Sequence, residues 1–204
     1  MRAPVKLYLA SSNPGKLAEF HALAATEASS LPIELELLPG FEALTPFEEN
    51  APTFAENAAG KALHYSRLPE GLVFADDSGL VVPALGGAPG VHSARYAGPL
   101  ATNSQRIQKL LSELQGKIGS ERSAHFVCAI ALARRARAIA VVTDRVDGEI
   151  LDAPRGSGGF GYDPVFYFPA LKKTFAELSA AEKNQLSHRG KAFRRLLAAL
   201  SSVL

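Results

Sequence analysis

Two apolar stretches of strand length, Ala124–Ala133 and Arg137–Val146, are separated only by Arg134-Arg135-Ala136. So short a connection leaves no room for a crossover, so the two run antiparallel as a hairpin. Around that hairpin, strand and helix patterns alternate. Val5–Ala10 is a short, β-branched apolar run, and Leu17, Phe20, Leu23 and Ala24 after it recur at helical spacing. Ile33–Leu38 alternates apolar and acidic residues, as a half-buried strand does. Thr53 and Glu56 have capping-box spacing and predict a helix from Thr53 to about Ser66. Leu72–Ala75 reads as a strand ending at Asp76-Asp77-Ser78-Gly79, and Gly86–Gly90 as loop. Thr102 with Gln105 opens a helix through Leu114. Gly156-Ser157-Gly158-Gly159 marks a turn, and Val165–Phe168 a strand. Ser179 with Glu182 opens another helical segment, and Phe193, Leu196, Leu197 and Leu200 stripe a terminal helix. Interleaved elements of both kinds predict an α/β chain, and the hairpin makes its sheet mixed rather than wholly parallel.

The 204 residues contain no internal repeat, low-complexity tract or linker, which predicts a single domain over 1–204, or two tightly fused lobes. Lys and Arg number 22 against 20 Asp and Glu, and the net charge of +2 comes with no basic run, which argues against a nucleic-acid partner. Basic residues that matter must act locally, on one small anion. No run of 18 apolar residues and no cleavage-like leader is present, which predicts a cytoplasmic protein without membrane contact. The one cysteine, Cys128, lies in the apolar run Phe126–Leu132 and reads as a buried small hydrophobe. His21, His64, His92 and His125 read as structural.

Five segments can carry chemistry, and each also has a plain structural reading. Ser11-Ser12-Asn13-Pro14-Gly15-Lys16 joins a strand to a helix. Backbone N–H groups and a lysine at a helix start suit phosphate, although the same residues make an ordinary Asn-Pro-Gly turn. Asp76 and Asp77 follow a buried strand. On extended backbone they point to opposite faces, and a divalent cation would relieve their repulsion. On that geometry Asp76→Asn is the milder change of the two. Phe47-Glu48-Glu49-Asn50 is either a solvated acidic loop or the source of a second metal carboxylate. Gly158–Pro164 places glycines around Phe160, so a flat ligand can reach the ring while Asp163 accepts from its edge; a turn with a core Phe160 fits equally. Lys183 with Ser187-His188-Arg189-Gly190 offers donors for carbonyl oxygens, or a charged helix end.

Taken in order, these segments resemble the inosine/xanthosine triphosphate pyrophosphatases from near the start of the chain to near its end. Ser11–Lys16, Thr53-Phe54-Ala55-Glu56-Asn57-Ala58, Ala75–Leu80, Leu85–Gly90 with Ser93–Gly98, Gly159–Pro164 and Ser187–Gly190 carry the resemblance. It implies an elongated two-lobed α/β fold around a mixed sheet, a nucleotide cleft between the lobes, and a homodimer. It also implies a magnesium-dependent reaction, NTP + H2O → NMP + pyrophosphate, on ITP, dITP or XTP. Ser11, Ser12, Asn13, Pro14, Gly15 and Lys16 would hold the triphosphate. Asp77 would ligate Mg2+ and act as general base, with Glu49 as second metal carboxylate and Ser78 touching the substrate. Phe160 would stack on the purine beside Gly161, Tyr162 and Asp163, while Lys183, His188 and Arg189 would read the base edge. The chain departs from the family at Ala51, where glycine is usual; a positive φ there would strain an alanine and reshape the Glu49 loop. A pyrophosphatase for other modified nucleotides and a nucleotide sensor without turnover are the alternatives. The presence of both Lys16 and Asp77 favours an enzyme.

Overall fold

In the computed structural model, which describes residues 4–27, 32–67 and 71–202, seven strands form one open mixed sheet in the order β2-β1-β3-β4-β5-β6-β7. These are β1 (Val5–Leu9), β2 (Ile33–Leu37), β3 (Leu72–Val81), β4 (Ser123–Arg134), β5 (Arg137–Ile150), β6 (Phe166–Phe168) and β7 (Lys173–Thr174). β1 runs parallel to β2 and to β3, whereas β6 is antiparallel to β5 and β7. The helices are α1 (Pro14–Glu27), α2 (Phe54–Tyr65), α3 (Asn103–Glu113), α4 (Ala180–Leu186) and α5 (His188–Ser201). The α/β class and mixed sheet read from the sequence are thus present.

The chain makes two compact units. The first comprises Met1–Asp77, Cys128–Asp144 and Arg189–Leu204, the second Ser78–Val127 and Arg145–His188. In the first, side-chain alternation along the strands divides the core into two clusters. Leu7, Leu9, Phe74, Cys128, Ile130 and Leu132 pack with Phe20 and Leu23 of α1 and with Phe193 and Leu196 of α5. Val73, Ala75, Ala129, Ala131 and Ala133 pack instead with Ala58, Ala62 and Tyr65 of α2. Alanine on both sides of this contact lets helix and sheet backbones approach closely. In the second unit, Leu80, Ile107, Leu110, Phe126, Phe166 and Phe175 anchor a separate core.

Local signals set the helix starts. Thr53 Oγ1 accepts from the Glu56 N–H at 3.2 Å, making Thr53 the N-cap of α2, and full capping boxes open α3 and α4. Two expectations change, and one strand is added. β3 continues through Asp76, Asp77, Ser78 and Gly79 instead of ending at Ala75, because cations and amides within the fold supply the partners that buried carboxylates need. β5 extends beyond Val146 to Ile150, and β7, too short to show a pattern, completes the sheet.

The hairpin between β4 and β5 turns on Arg135 and Ala136, both left-handed, at φ 51° and 56°. Two-residue hairpins of this hand favour Asn-Gly, since a Cβ at positive φ costs about 1 kcal/mol. The Ala136 N–H donates to Ser66 Oγ at 3.1 Å, which ties the turn to the end of α2. Ala136→Gly keeps that donor and removes the clash. It is expected to raise unfolding stability by about 0.5–1 kcal/mol, measured as a higher urea midpoint at unchanged slope. An unchanged or lowered midpoint would show that the turn holds no relievable strain.

Candidate active site

Strand alternation fixes the site in the first unit. Phe74 faces the α1/α5 cluster, and Val73 and Ala75 face α2; two residues on, Asp76 follows Phe74 and Asp77 follows Ala75. Asp76 is 1% exposed, and its Oδ2 lies 2.9 Å from Lys16 Nζ of α1 and 3.8 Å from Arg189 Nε of α5. Its backbone carbonyl accepts from Lys61 Nζ of α2 at 2.9 Å. Glu19, one turn along α1 from Lys16, pairs with Arg189, and Lys61 also pairs with Glu49. Burial alone would raise the Asp76 carboxyl, but Lys16, Arg189 and Lys61 together hold it below the usual value. Burial likewise works against the charge on Arg189, which Glu19 and Asp76 more than restore. Asp76 is therefore an organising counter-ion, on the opposite face of the strand from Asp77, as expected of adjacent residues.

Asp77 has the opposite electrostatics. Burial, then the charge of Glu49, raises its pKa to about 6, only partly offset by Lys61, Lys16 and a hydrogen bond from Asn57. Asn57, fully buried on α2, donates from Nδ2 to Asp77 Oδ2 at 3.0 Å. Its Oδ1 accepts from the Ala51 N–H at 2.9 Å, so one amide fastens the Glu49 loop to Asp77. Ala51 is absent from the positive-φ residues, so alanine there carries none of the strain a left-handed backbone would impose.

Two carboxylates close enough to repel, as Asp77 and Glu49 are, suit a hard divalent cation that takes its other ligands from water and phosphate. Among the described residues no group of three or more His, Cys, Asp or Glu gathers around one point, so a metal here would rest on Asp77 and Glu49 and complete its shell elsewhere. At the α1 start, Asn13 Oδ1 accepts from the N–H groups of Gly15 and Lys16 at 2.9 and 3.1 Å, and the Asn13 N–H donates to Ser11 Oγ at 3.2 Å. Asn13 is thus a helix cap with Pro14 behind it, and two of the donors expected for phosphate are engaged by its side chain.

The second unit holds the aromatic turn. Asp163 Oδ2 accepts from the Phe160 N–H at 2.8 Å and from Lys183 Nζ at 2.5 Å. Lys183 Nζ lies 4.9 Å from the centre of the Phe160 ring. Gly159, at φ 69°, has no alternative: a Cβ would sit 2.1 Å from Asp163 Oδ2. Asp163 thus orients Phe160 and Lys183, beyond its expected role as a bare acceptor. Tyr162 is buried, and Gly161, at φ 63°, has no atom within 4 Å of where a Cβ would stand. The His188 ring stacks on Phe126, with centroids 4.7 Å apart and planes at 11°. Ser78 lies in β3 at the head of this unit. The expected base readers therefore divide: Lys183 joins Asp163 and Phe160, His188 joins Phe126, and Arg189 joins Glu19 and Asp76.

Sequence reasoning missed Glu19, Asn57, Lys61 and Phe126. Glu19 stands three residues after Lys16, and Asn57 four before Lys61, both spacings that share a helix face. Phe126 left no local signal, because its partner, His188, is distant in the sequence.

The Ham1 family model matches residues 7–199. The chain is 51% identical to a dITP/XTP pyrophosphatase of Geobacillus kaustophilus, across 94% of this chain and 92% of that protein. It is 48% identical to the dITP/XTP pyrophosphatase of Ralstonia nicotianae, across 94% of each. A solved HAM1 protein from Coxiella burnetii superposes with a TM-score of 0.85 at 42% identity, covering 97% of this chain and 99% of that one. The Staphylococcus aureus Ham1 protein gives 0.84 at 38%, covering 98% and 100%.

The two aspartates should part in stability measurements made without metal. Asp76→Asn takes from Lys16 its carboxylate and weakens the charge balance at Arg189 and Lys61, and is expected to cost about 3–5 kcal/mol. Asp77 behaves differently because its folded pKa lies above the unfolded one. The folded protein then holds the extra proton between about pH 4 and about pH 6. Wild-type stability should therefore fall as pH rises through that window, by about 2–3 kcal/mol from this group. Asp77→Asn should lack that fall and equal or exceed wild type at pH 7. Urea titrations across pH 4–8 give both results. Equal losses for the two variants at pH 7 would show that the carboxylates share one environment.

Proposed function

This chain belongs to the Ham1 family, and on that premise we propose that it hydrolyses ITP, dITP and XTP to the monophosphate and pyrophosphate, with Mg2+ as cofactor. The observation that carries this reading is the pairing of opposites on β3: Asp76, ionised among cations, beside Asp77, whose pKa is raised to about 6. Lys16, held beside Asp76 at the start of α1, suits a polyphosphate. A carboxylate poised near neutral pH suits removal of a proton from water. The names of the relatives, dITP/XTP pyrophosphatases, support the substrate class, and the family match from 7 to 199 supports one functional domain.

In this reading Lys16, with Ser11–Gly15, holds the triphosphate, and Lys16 leaves Asp76 partly for the phosphate. Magnesium, held by Asp77 and Glu49, would neutralise phosphate charge. Asp77 orients the attacking water and accepts its proton, Asn57 keeping the carboxylate in place. Ser78 contacts the substrate. Phe160 stacks on the purine within a wall formed with Gly161, Tyr162 and Asp163. Lys183, His188 and Arg189 donate to the base edge, where the 6-oxo group of inosine and xanthosine accepts and the adenine amino group does not. Arg189 comes to that task already ordered by Glu19. We also read the protein as a cytoplasmic homodimer without a nucleic-acid or membrane partner. No helix among the described residues is long and apolar enough to cross a membrane.

Three variants assayed on both ITP and ATP test the assignment. Asp77→Asn should lower kcat by at least about 10²-fold on either nucleotide. Lys16→Ala should slow both by similar factors, leaving their ratio intact. Arg189→Ala removes a charge-assisted donor worth roughly 1.5–3 kcal/mol, so kcat/KM for ITP should drop about ten- to a few-hundred-fold while ATP turnover hardly changes. If Arg189→Ala slows the two equally, Arg189 serves the phosphates or the fold. Near-normal kcat in Asp77→Asn at saturating Mg2+ would remove Asp77 from the chemistry.

A further inference from the structure

Ser93 belongs to no assigned role, yet it joins two segments that the proposed function uses. The Leu80 N–H of β3 donates to Ser93 Oγ at 2.9 Å, and that hydroxyl donates in turn to the Gly90 carbonyl at 2.6 Å. The contact leaves no spare room: a Cβ on Gly79 would lie 2.3 Å from Ser93 Oγ and 2.6 Å from the Gly90 oxygen. From the other side, the Tyr162 hydroxyl donates to the Ser93 carbonyl at 3.0 Å. Tyr162 is only 4% exposed, and burial pushes its phenol upward, so the hydroxyl keeps its proton and remains a donor. One residue therefore holds Leu80 of β3 through its side chain and Tyr162 of the Gly159–Asp163 turn through its backbone, all within the second unit.

We propose that the hydroxyls of Ser93 and Tyr162 form a strut that fixes the aromatic turn against β3 and so sets discrimination between 6-oxo and 6-amino purines. The inference rests on reading that turn as the purine site. Through its side chain Tyr162 is a positioning residue: the ring lies in the core cluster with Val165 and Phe166, and the hydroxyl donates to the Ser93 carbonyl. It acts through its neighbours in the turn. Phe160 is the stacking ring, and Asp163 holds Lys183 at 2.5 Å, so a displaced turn carries the Lys183 ammonium away from the purine O6. Displacement by a fraction of an ångström suffices, because hydrogen bonds weaken steeply off their geometry. A purely structural Tyr162 would work through its buried ring, which Phe retains.

Tyr162→Phe therefore isolates the hydroxyl. The expected result is a KM for ITP raised about three- to tenfold, the range for one neutral hydrogen bond, with kcat within about twofold. The ITP/ATP ratio of kcat/KM should fall by the same factor. A second readout needs no nucleotide: amide hydrogen exchange at Phe160, Val165 and Phe166 should quicken in Tyr162→Phe, and exchange at Leu80 should quicken in Ser93→Ala. Unchanged exchange at these amides overturns the strut. Faster exchange with an unchanged ITP/ATP ratio overturns its role in specificity, as does a fall in Tm with nothing else altered. If the wild-type enzyme fails to hydrolyse ITP, the proposed function falls, while the exchange data still decide whether the strut exists.

Discussion

The first unit is organised around a carboxylate that water does not reach. Asp76 meets Lys16 from α1 and Arg189 from α5 through its side chain, and Lys61 from α2 through its carbonyl. Helices on both faces of the sheet are thereby fastened to one residue of β3. Burying an ion is costly unless it is paired and hydrogen-bonded, and the arrangement is stable only because three cations share the task. Glu19 and Glu49 complete the balance at Arg189 and Lys61. Under the proposed function, Lys16 is thereby held in place before any anion arrives, which is the preorganisation that phosphoryl chemistry needs.

The contrast between Asp76 and Asp77 follows from the period of a strand. Adjacent residues face opposite ways, so one acid enters a ring of cations and the other enters the α2 side. There it finds an amide, Asn57, and a like charge, Glu49. No difference in local sequence accounts for their different electrostatics. Environment alone separates a structural ion from a carboxylate suited to proton transfer. The alanines of β4 contribute by letting α2 lie close enough for Asn57 to reach Asp77.

Much of this was legible in the chain itself. The hairpin spacing, the caps at Thr53, Thr102 and Ser179, and the helical stripe of α5 each express a local rule, and each of these elements formed. Asp76-Asp77-Ser78-Gly79 looked like a strand end because acids and glycine usually mark one. The partners that let β3 continue, Lys16, Asn57 and Arg189, are contacts across the fold that no window of sequence displays. The same limit hid the Asn13 cap at the expected phosphate loop, the stacking of Phe126 on His188, and the work of Ser93. Ala51 erred in the other direction, since the glycine usual in its place suggested a backbone strain that the loop does not have.

In the proposed reaction Asp77 directs water at the α-phosphorus of a nucleoside triphosphate. Turnover of ITP in 18O-labelled water locates the attack directly. The label should appear in the inosine monophosphate and not in the pyrophosphate, as mass spectrometry of both products would show. Label in pyrophosphate would place the attack at the β-phosphorus, and release of labelled orthophosphate with IDP would place it at the γ-phosphorus. Either result would contradict the assignment of this site.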